Sequence, residues 1–122
     1  MCVYFLNFKD TIPSFSVAGF TGNSSSYISL KHQKGPLART SVGLSFRTFS
    51  SEGLLFLILQ RDDMAHPGDF LSIHLADSHV VVKYNLGSAT ATLSSPLPVS
   101  MGKWHTITFR YLQDGKLQVG KI

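Results

Sequence analysis

Apolar and polar residues alternate along much of the chain after Phe15, as they do in β-strands that bury one face. The clearest alternating runs are YISLK (27–31), SVGLSFRTF (41–49), DFLSIHL (69–75), HVVVKY (79–84) and WHTITFRYL (104–112). The run EGLLFLILQ (52–60) is continuously apolar after its glycine, which predicts a strand covered on both faces. Because no stretch has the apolar period of about 3.6 residues that marks an amphipathic helix, the pattern predicts an all-β protein.

Turn signals separate these runs at short intervals. Asp77-Ser78 joins two alternating runs, RDDMAHPG (61–68) breaks the pattern as a loop does, and DGK (114–116) is a strong hairpin signal because Asp-Gly accepts positive φ angles. Roughly seven or more strands at such spacing predict an antiparallel β-sandwich. Residues 1–14 have no clear period, and we interpret them as a poorly specified lead-in to one domain over residues 15–122.

Composition and charge narrow the class of function. Hydrophobic residues make up 43% of the chain and aromatic residues 11%, which is a globular composition. The net charge is +4, with 11 Lys and Arg against 7 Asp and Glu, but the basic residues are scattered and no nucleic-acid motif accompanies them. Such a surface could attract sulfated glycans, anionic membranes or nucleic acid by general electrostatics. A solvated basic surface is the preferred interpretation, and nucleic acid is not predicted as a partner because its motifs are missing.

Three features bear on the cellular compartment. Cys2 is the only cysteine, so no internal disulfide can form. No apolar stretch reaches about eighteen residues, so no membrane-spanning segment is predicted. The opening MCVYFLNF is apolar but short and lacks a basic segment before it, so it is not a clear signal peptide.

Polar residues that could carry catalysis or bind a transition metal are few. One group is close in sequence: Asp62, Asp63, His66 and Asp69. Its spacing matches no zinc template, so a solvated loop is the preferred interpretation. No Gly-x-Ser-x-Gly elbow is present, and we expect His74 and His105 to face outward from strands, so catalysis is not predicted.

Two further residues have simple interpretations. Asn23-Ser24-Ser25 is an Asn-x-Ser acceptor sequence for N-glycosylation in a polar loop, and its use depends on secretion. Trp104 is interpreted as a packed anchor of the sandwich and not as a platform on which a ligand stacks.

Four segments follow one another with compatible spacings: FTGNSSSYISL, SVGLSFRTFSSEGLLFLIL, GDFLSIHLADSHVVVKYNLG and VSMGKWHTITFRYLQDGKLQV. In this order they resemble the laminin G-like domain, a module of the laminin, agrin, perlecan, neurexin, Crumbs and eyes-shut type. The resemblance covers residues 15–122 and implies a concanavalin-like jelly-roll β-sandwich of two antiparallel sheets. It also implies further strands after the Trp-His strand and its hairpin, so we expect this chain to be an incomplete domain, truncated at its C-terminal end.

The resemblance implies a calcium ligand at Asp69. In many members the aspartate of a Gly-Asp-aromatic-Leu segment gives its carboxylate, and the residue before the glycine that closes the paired strand gives a main-chain carbonyl. These positions are Asp69 and Leu86 in this sequence, about equally far from the Asp77-Ser78 turn, so we expect them to lie side by side. Carboxylate and carbonyl oxygens suit calcium, although the site is only partial. The alternative is an aspartate that hydrogen-bonds its own loop after Pro67-Gly68.

The resemblance implies an extracellular adhesion or recognition module, without enzymatic activity, that binds partner proteins or acidic glycans such as heparan sulfate through rim loops. A carbohydrate-active enzyme of jelly-roll fold is an alternative. It requires two carboxylates facing across a sheet, whereas every acidic residue here is expected in a loop or turn. A second alternative is a truncated fragment without a function of its own, because missing strands would expose sheet edges.

Overall fold

The computed structural model describes residues 2–7, 18–22, 27–29, 40–59, 69–85, 89–111 and 117–120. Within these ranges every regular element is a β-strand, as the alternating pattern predicted. The strands are β1 (Cys2–Asn7), β2 (Ala18–Phe20), β3 (Thr40–Thr48), β4 (Gly53–Leu59), β5 (Phe70–Ala76), β6 (His79–Asn85), β7 (Ala91–Ser94), β8 (Trp104–Tyr111) and β9 (Leu117–Gly120). They form two antiparallel sheets, each within its own compact unit of the chain.

The first sheet has five strands in the order β2-β1-β3-β8-β9. Its apolar row lies on β3 and β8, where Leu44 pairs with Ile107 and Val42 pairs with Phe109. All four side chains are buried, and Phe46 on the same face of β3 is completely buried. The predicted inward face of these two strands is therefore confirmed.

The second sheet has four strands in the order β4-β5-β6-β7. The β5–β6 hairpin turns at Asp77 and Ser78, whose φ angles are 47° and 63°. Two successive positive φ angles mark the type I′ turn, whose twist matches that of paired strands, so the predicted turn is confirmed. Leu71, Ile73 and Leu75 on β5 are fully buried, as their alternation predicted.

The segment after β7 is fixed to the same hairpin by hydrogen bonds. The buried Ser95 hydroxyl accepts a hydrogen bond from the Val80 amide at 3.0 Å and donates one to the Leu97 carbonyl at 2.8 Å. The Val99 amide donates to the Ser78 carbonyl at 2.7 Å. The Ser95 hydroxyl thus acts as both acceptor and donor, and these hydrogen bonds hold the segment beyond the end of β7, where strand pairing stops.

The prediction that β4 is covered on both faces is wrong. Leu54, Leu57 and Leu59 are 56%, 45% and 49% exposed, while Leu55 is buried. Among the described strands β4 is the outermost of its sheet, and its register shifts between Leu54 and Phe56. A continuous apolar run can therefore occupy a sheet edge with one uncovered face.

Two differences concern the N-terminal part. The predicted strand YISLK is not formed over residues 27–29, where Tyr27 and Ile28 are exposed, and its last two residues lie outside the described residues. Strand β1, by contrast, lies inside the stretch interpreted as a lead-in and pairs with β3 along its whole length. The sequence CVYFLN does not alternate, so its pattern did not predict a strand. The boundary between residues 1–14 and 15–122 stays a prediction.

Candidate functional site

An arginine and two aromatic side chains form a cluster at one end of the β3–β8 pair. Arg47 and Trp104 are direct cross-strand partners, and Phe49 follows the end of β3. The Arg47 guanidinium carbon lies 5.6 Å from the centre of the Trp104 ring system and 5.9 Å from the centre of the Phe49 ring. Both distances are those of cation–π contacts. We call Arg47, Phe49 and Trp104 the aromatic–arginine cluster.

The two rings of the cluster are largely open to solvent. Phe49 is 57% exposed and Trp104 is 48% exposed. Arg47 is half-buried between them, and its Nε is buried without a hydrogen-bond acceptor. The interpretation of Trp104 as a packed anchor is therefore wrong. The alternation along β8 indicates the exposed face, because successive residues of a strand point to opposite sides. Trp104 lies an even number of residues from the exposed Arg110 and an odd number from the buried Ile107.

The same alternation corrects a second expectation. His105 was expected to face outward, but positions 105 and 107 lie on one side of β8, and His105 is half-buried there. Its ring centroid is 5.8 Å from that of the buried Phe46. His74 lies on the face of β5 opposite the buried Ile73 and Leu75, and it is half-buried.

The loop between residues 100 and 103 holds the cluster in place. The Gly102 amide donates to the Thr48 carbonyl at 2.8 Å, and the Ser100 amide donates to His105 Nε2 at 3.0 Å. Gly102 has a φ angle of +74°, and a Cβ built on it would lie 3.1 Å from a carbon of the Phe49 ring. Glycine is therefore required both for the turn and for the close approach of Phe49.

The charge around the cluster is positive. Lys103 precedes Trp104 directly and is exposed. No acidic residue occurs in residues 46–50 or 100–105, the two stretches that form the cluster and its loop. Arg47 and Lys103 are therefore the cationic residues of these two stretches, and neither stretch contributes a carboxylate.

The predicted calcium ligand Asp69 lies directly before β5 and is buried, with 8% of its surface exposed. The hairpin register pairs Phe70 with Asn85, which is the register that the Asp69–Leu86 pairing requires. Leu86 itself lies outside the described residues. Burial disfavours a bare carboxylate, so Asp69 needs hydrogen bonds, a cation or a metal ion beside it.

The chemistry of Asp69 suits calcium better than zinc, since a carboxylate is a hard oxygen donor. Among the residues that the structure describes, no group of three or more His, Cys, Asp or Glu side chains could hold a metal. Asp69 is the one predicted calcium ligand among the described residues, and its role as a ligand stays a prediction. Three residues close to Asp69 in sequence, Asp62, Asp63 and His66, lie outside the described residues. The glycosylation candidate Asn23 also lies outside them.

Comparisons with known proteins define the fold class. The chain is similar to the solved structure of the mouse laminin alpha1 chain, domains LG4-5, with a TM-score of 0.56 and 28% sequence identity, covering 74% of this chain and 25% of that one. Laminin G-like domains are jelly-roll β-sandwiches. The fold predicted from the sequence, an all-β antiparallel jelly-roll sandwich, is confirmed.

The family follows from its sequence model and from relatives. The model of the laminin G domain matches residues 46–122. The chain is 42% identical over 95 residues to the zebrafish (Danio rerio) protein eyes shut homolog, covering 72% of this chain. It is 35% identical over 102 residues to the mouse (Mus musculus) basement membrane-specific heparan sulfate proteoglycan core protein, covering 83% of this chain. The chain belongs to the laminin G domain family.

The matched segment is a small part of those relatives. The chain spans 3% of the length of each of these two proteins. The relatives with laminin G domains are proteins of the extracellular matrix and of adhesion. Within the described residues, no helix has the length and apolar character needed to cross a membrane.

Proposed function

We propose that this chain is an extracellular recognition module that binds a partner protein or an acidic glycan, and that it acts by binding and not by catalysis. The observation that carries the proposal is the match of the laminin G domain over residues 46–122. The described acidic residues support binding over glycoside hydrolysis, since Glu52, Asp69 and Asp77 all lie outside the strands. A glycosidase requires a facing pair of carboxylates.

The charge of the chain supports an acidic glycan such as heparan sulfate as one ligand. The net charge is +4, and a positive net charge attracts polyanions. The basic residues are dispersed along the sequence, and Lys83, Lys103 and Arg110 are exposed. Salt screens exposed charges of this kind within about 10 Å at 0.1 M. We therefore expect weak binding to heparin that decreases steeply as salt is added.

The proposal includes calcium at Asp69. The carboxylate of Asp69 and the main-chain carbonyl of Leu86 would each give one oxygen to the ion, with water completing its shell. The burial of Asp69 and the Phe70–Asn85 register support this assignment. When bound, the ion would supply a fixed positive charge, and Asp69 would hold it.

The test is a titration of the chain with heparin oligosaccharides, in calcium and in chelator, at several salt concentrations. Asp69→Asn is compared with Asp77→Asn, which removes one negative charge from an exposed turn. We expect binding in low salt, only a small stabilisation of the wild type by calcium through mass action because the site is partial, and no calcium effect in Asp69→Asn. Absence of binding in low salt would overturn glycan recognition, and a calcium effect that survives Asp69→Asn would overturn the assignment of Asp69.

A further inference from the structure

We propose that the aromatic–arginine cluster binds a uronic acid unit of an acidic glycan. The sugar ring would stack on Trp104 and Phe49, and its carboxylate would accept hydrogen bonds from Arg47. The inference rests on the proposed function and deepens it, because it names the residues and the sugar chemistry.

The exposed rings provide the stacking surface. Phe49 and Trp104 are each about half open to water, whereas Phe46, the aromatic residue within β3, is completely buried. Large aromatic side chains of this kind contribute much of the binding energy where they meet a partner. A pyranose presents a face of C–H groups that fits flat against an aromatic ring, and its polar edge stays free.

Arg47 provides the charge in a fixed orientation. Its guanidinium lies close to both rings, at 5.6 Å and 5.9 Å from their centres. A guanidinium held in this way loses little conformational freedom when a ligand arrives, and its planar fork matches the two oxygens of a carboxylate. Its Nε is buried and has no acceptor, which is costly for a charged group.

The charged residues near the cluster favour an anionic ligand, and no metal ion is needed to bind it. Lys103 adds a second positive charge beside Trp104, and neither stretch that forms the cluster contains an acidic residue. Calcium has no carboxylate to bind in these stretches, so the proposed contact does not require the ion. Independence from calcium separates this site from the one assigned to Asp69.

The chain offers matched controls for both parts of the cluster. Arg110 lies on β8 in the same sheet and is exposed, so Arg110→Gln removes the same charge as Arg47→Gln away from the rings. Tyr27 is 73% exposed, so Tyr27→Ala removes an exposed aromatic ring, as Trp104→Ala does.

The experiment measures the affinity of each variant for hyaluronan oligosaccharides, which carry carboxylates and no sulfate, in the presence of chelator. Dextran sulfate, which carries sulfate and no carboxylate, and neutral dextran are measured alongside. We expect Arg47→Gln and Trp104→Ala each to lose about tenfold in hyaluronan affinity, the scale of one charge-assisted hydrogen bond or one buried aromatic contact. Arg110→Gln and Tyr27→Ala should stay within about twofold of the wild type. Arg47→Lys should lose nearly as much as Arg47→Gln, because lysine keeps the charge but not the fork.

Three outcomes would overturn the inference in distinguishable ways. Equal losses in Arg47→Gln and Arg110→Gln would show binding by general charge, and the proposed recognition of acidic glycans would stand. The same conclusion would follow if the wild type bound dextran sulfate but not hyaluronan. If the wild type bound none of the charged probes, glycan recognition itself would be wrong, and the cluster would have only a structural role.

Discussion

Two sets of positions on the β3–β8 pair differ sharply although they are adjacent along the strands. Phe46 and Ile107 are buried in the apolar row. Their neighbours Arg47 and Trp104 pair with each other, and there Arg47 is half-buried while Trp104, the single tryptophan of the chain, is exposed. Alternation places the two sets on opposite faces of one strand pair. One face therefore contributes to folding, and the other face is available to a ligand. Substitutions on the two faces should separate stability from binding.

The largest expected effect is on the buried face. Phe46→Ala removes a completely buried ring, and we expect it to lower the free energy of unfolding by about 3–5 kcal/mol, because a cavity is added to the lost burial. Phe49→Ala, three residues on, removes a ring that is 57% exposed and should cost less than about 1 kcal/mol. Urea unfolding followed by circular dichroism measures both. Similar losses would contradict the assignment of the two faces.

A smaller effect is expected in the other sheet, where a buried polar group replaces strand pairing. Ser95→Ala removes the acceptor of the Val80 amide and the donor to the Leu97 carbonyl. We expect a loss of about 1–3 kcal/mol, since a buried donor is left without a partner. Ser94→Ala, at the exposed last position of β7, is the control and should be nearly neutral. Equal unfolding midpoints for the two variants would show that the Ser95 bonds add nothing.

Gly102 links the end of β3 to the exposed Phe49 ring, because its amide donates to the Thr48 carbonyl and a Cβ built on it would meet the ring. Gly102→Ala should destabilise the chain by about 1–2 kcal/mol, since alanine is strained at a φ of +74° and its Cβ would meet the ring at 3.1 Å. Phe49→Ala in the same chain should recover the steric part of this loss and leave the backbone part. A double-mutant cycle measures the coupling between the two residues. Gly43→Ala is the control, because a Cβ there meets nothing within 4 Å. Strict additivity would mean that the contact with Phe49 carries no energy.

Alternation predicted most of the described strands, although the alternating run YISLK forms no strand over residues 27–29. The inward rows of β3, β5 and β8 and the Asp77-Ser78 turn follow from local pattern alone, and all are confirmed by the structure. The pattern was less informative for apolar runs without alternation. CVYFLN gave no strand signal, and GLLFLIL was interpreted as a covered strand, because the position of a strand within its sheet depends on residues far along the chain.

The candidate sites were predicted unevenly for a physical reason. The location of Asp69 beside a regular hairpin was readable, since strand register extends outward from the turn, while the role of Asp69 as a calcium ligand remains a prediction. The aromatic–arginine cluster was missed because a tryptophan is assigned to the core by its size. The even spacing between Trp104 and Arg110 indicated that Trp104 lies on the outer face. The pairing of Trp104 with Arg47 could not be read from the sequence, because it depends on how β3 and β8 align.

The most direct test uses Trp104 as its own probe, since it is the only tryptophan in the chain and is 48% exposed. Hyaluronan oligosaccharides are titrated into the wild type in chelator while tryptophan emission and its quenching by acrylamide are recorded. A sugar stacked on the ring removes water from it, so we predict a shift of emission to shorter wavelength and weaker quenching, with neutral dextran producing neither. Unchanged emission and quenching at concentrations where calorimetry shows the oligosaccharide bound would contradict the account, because the ligand would then lie away from the cluster.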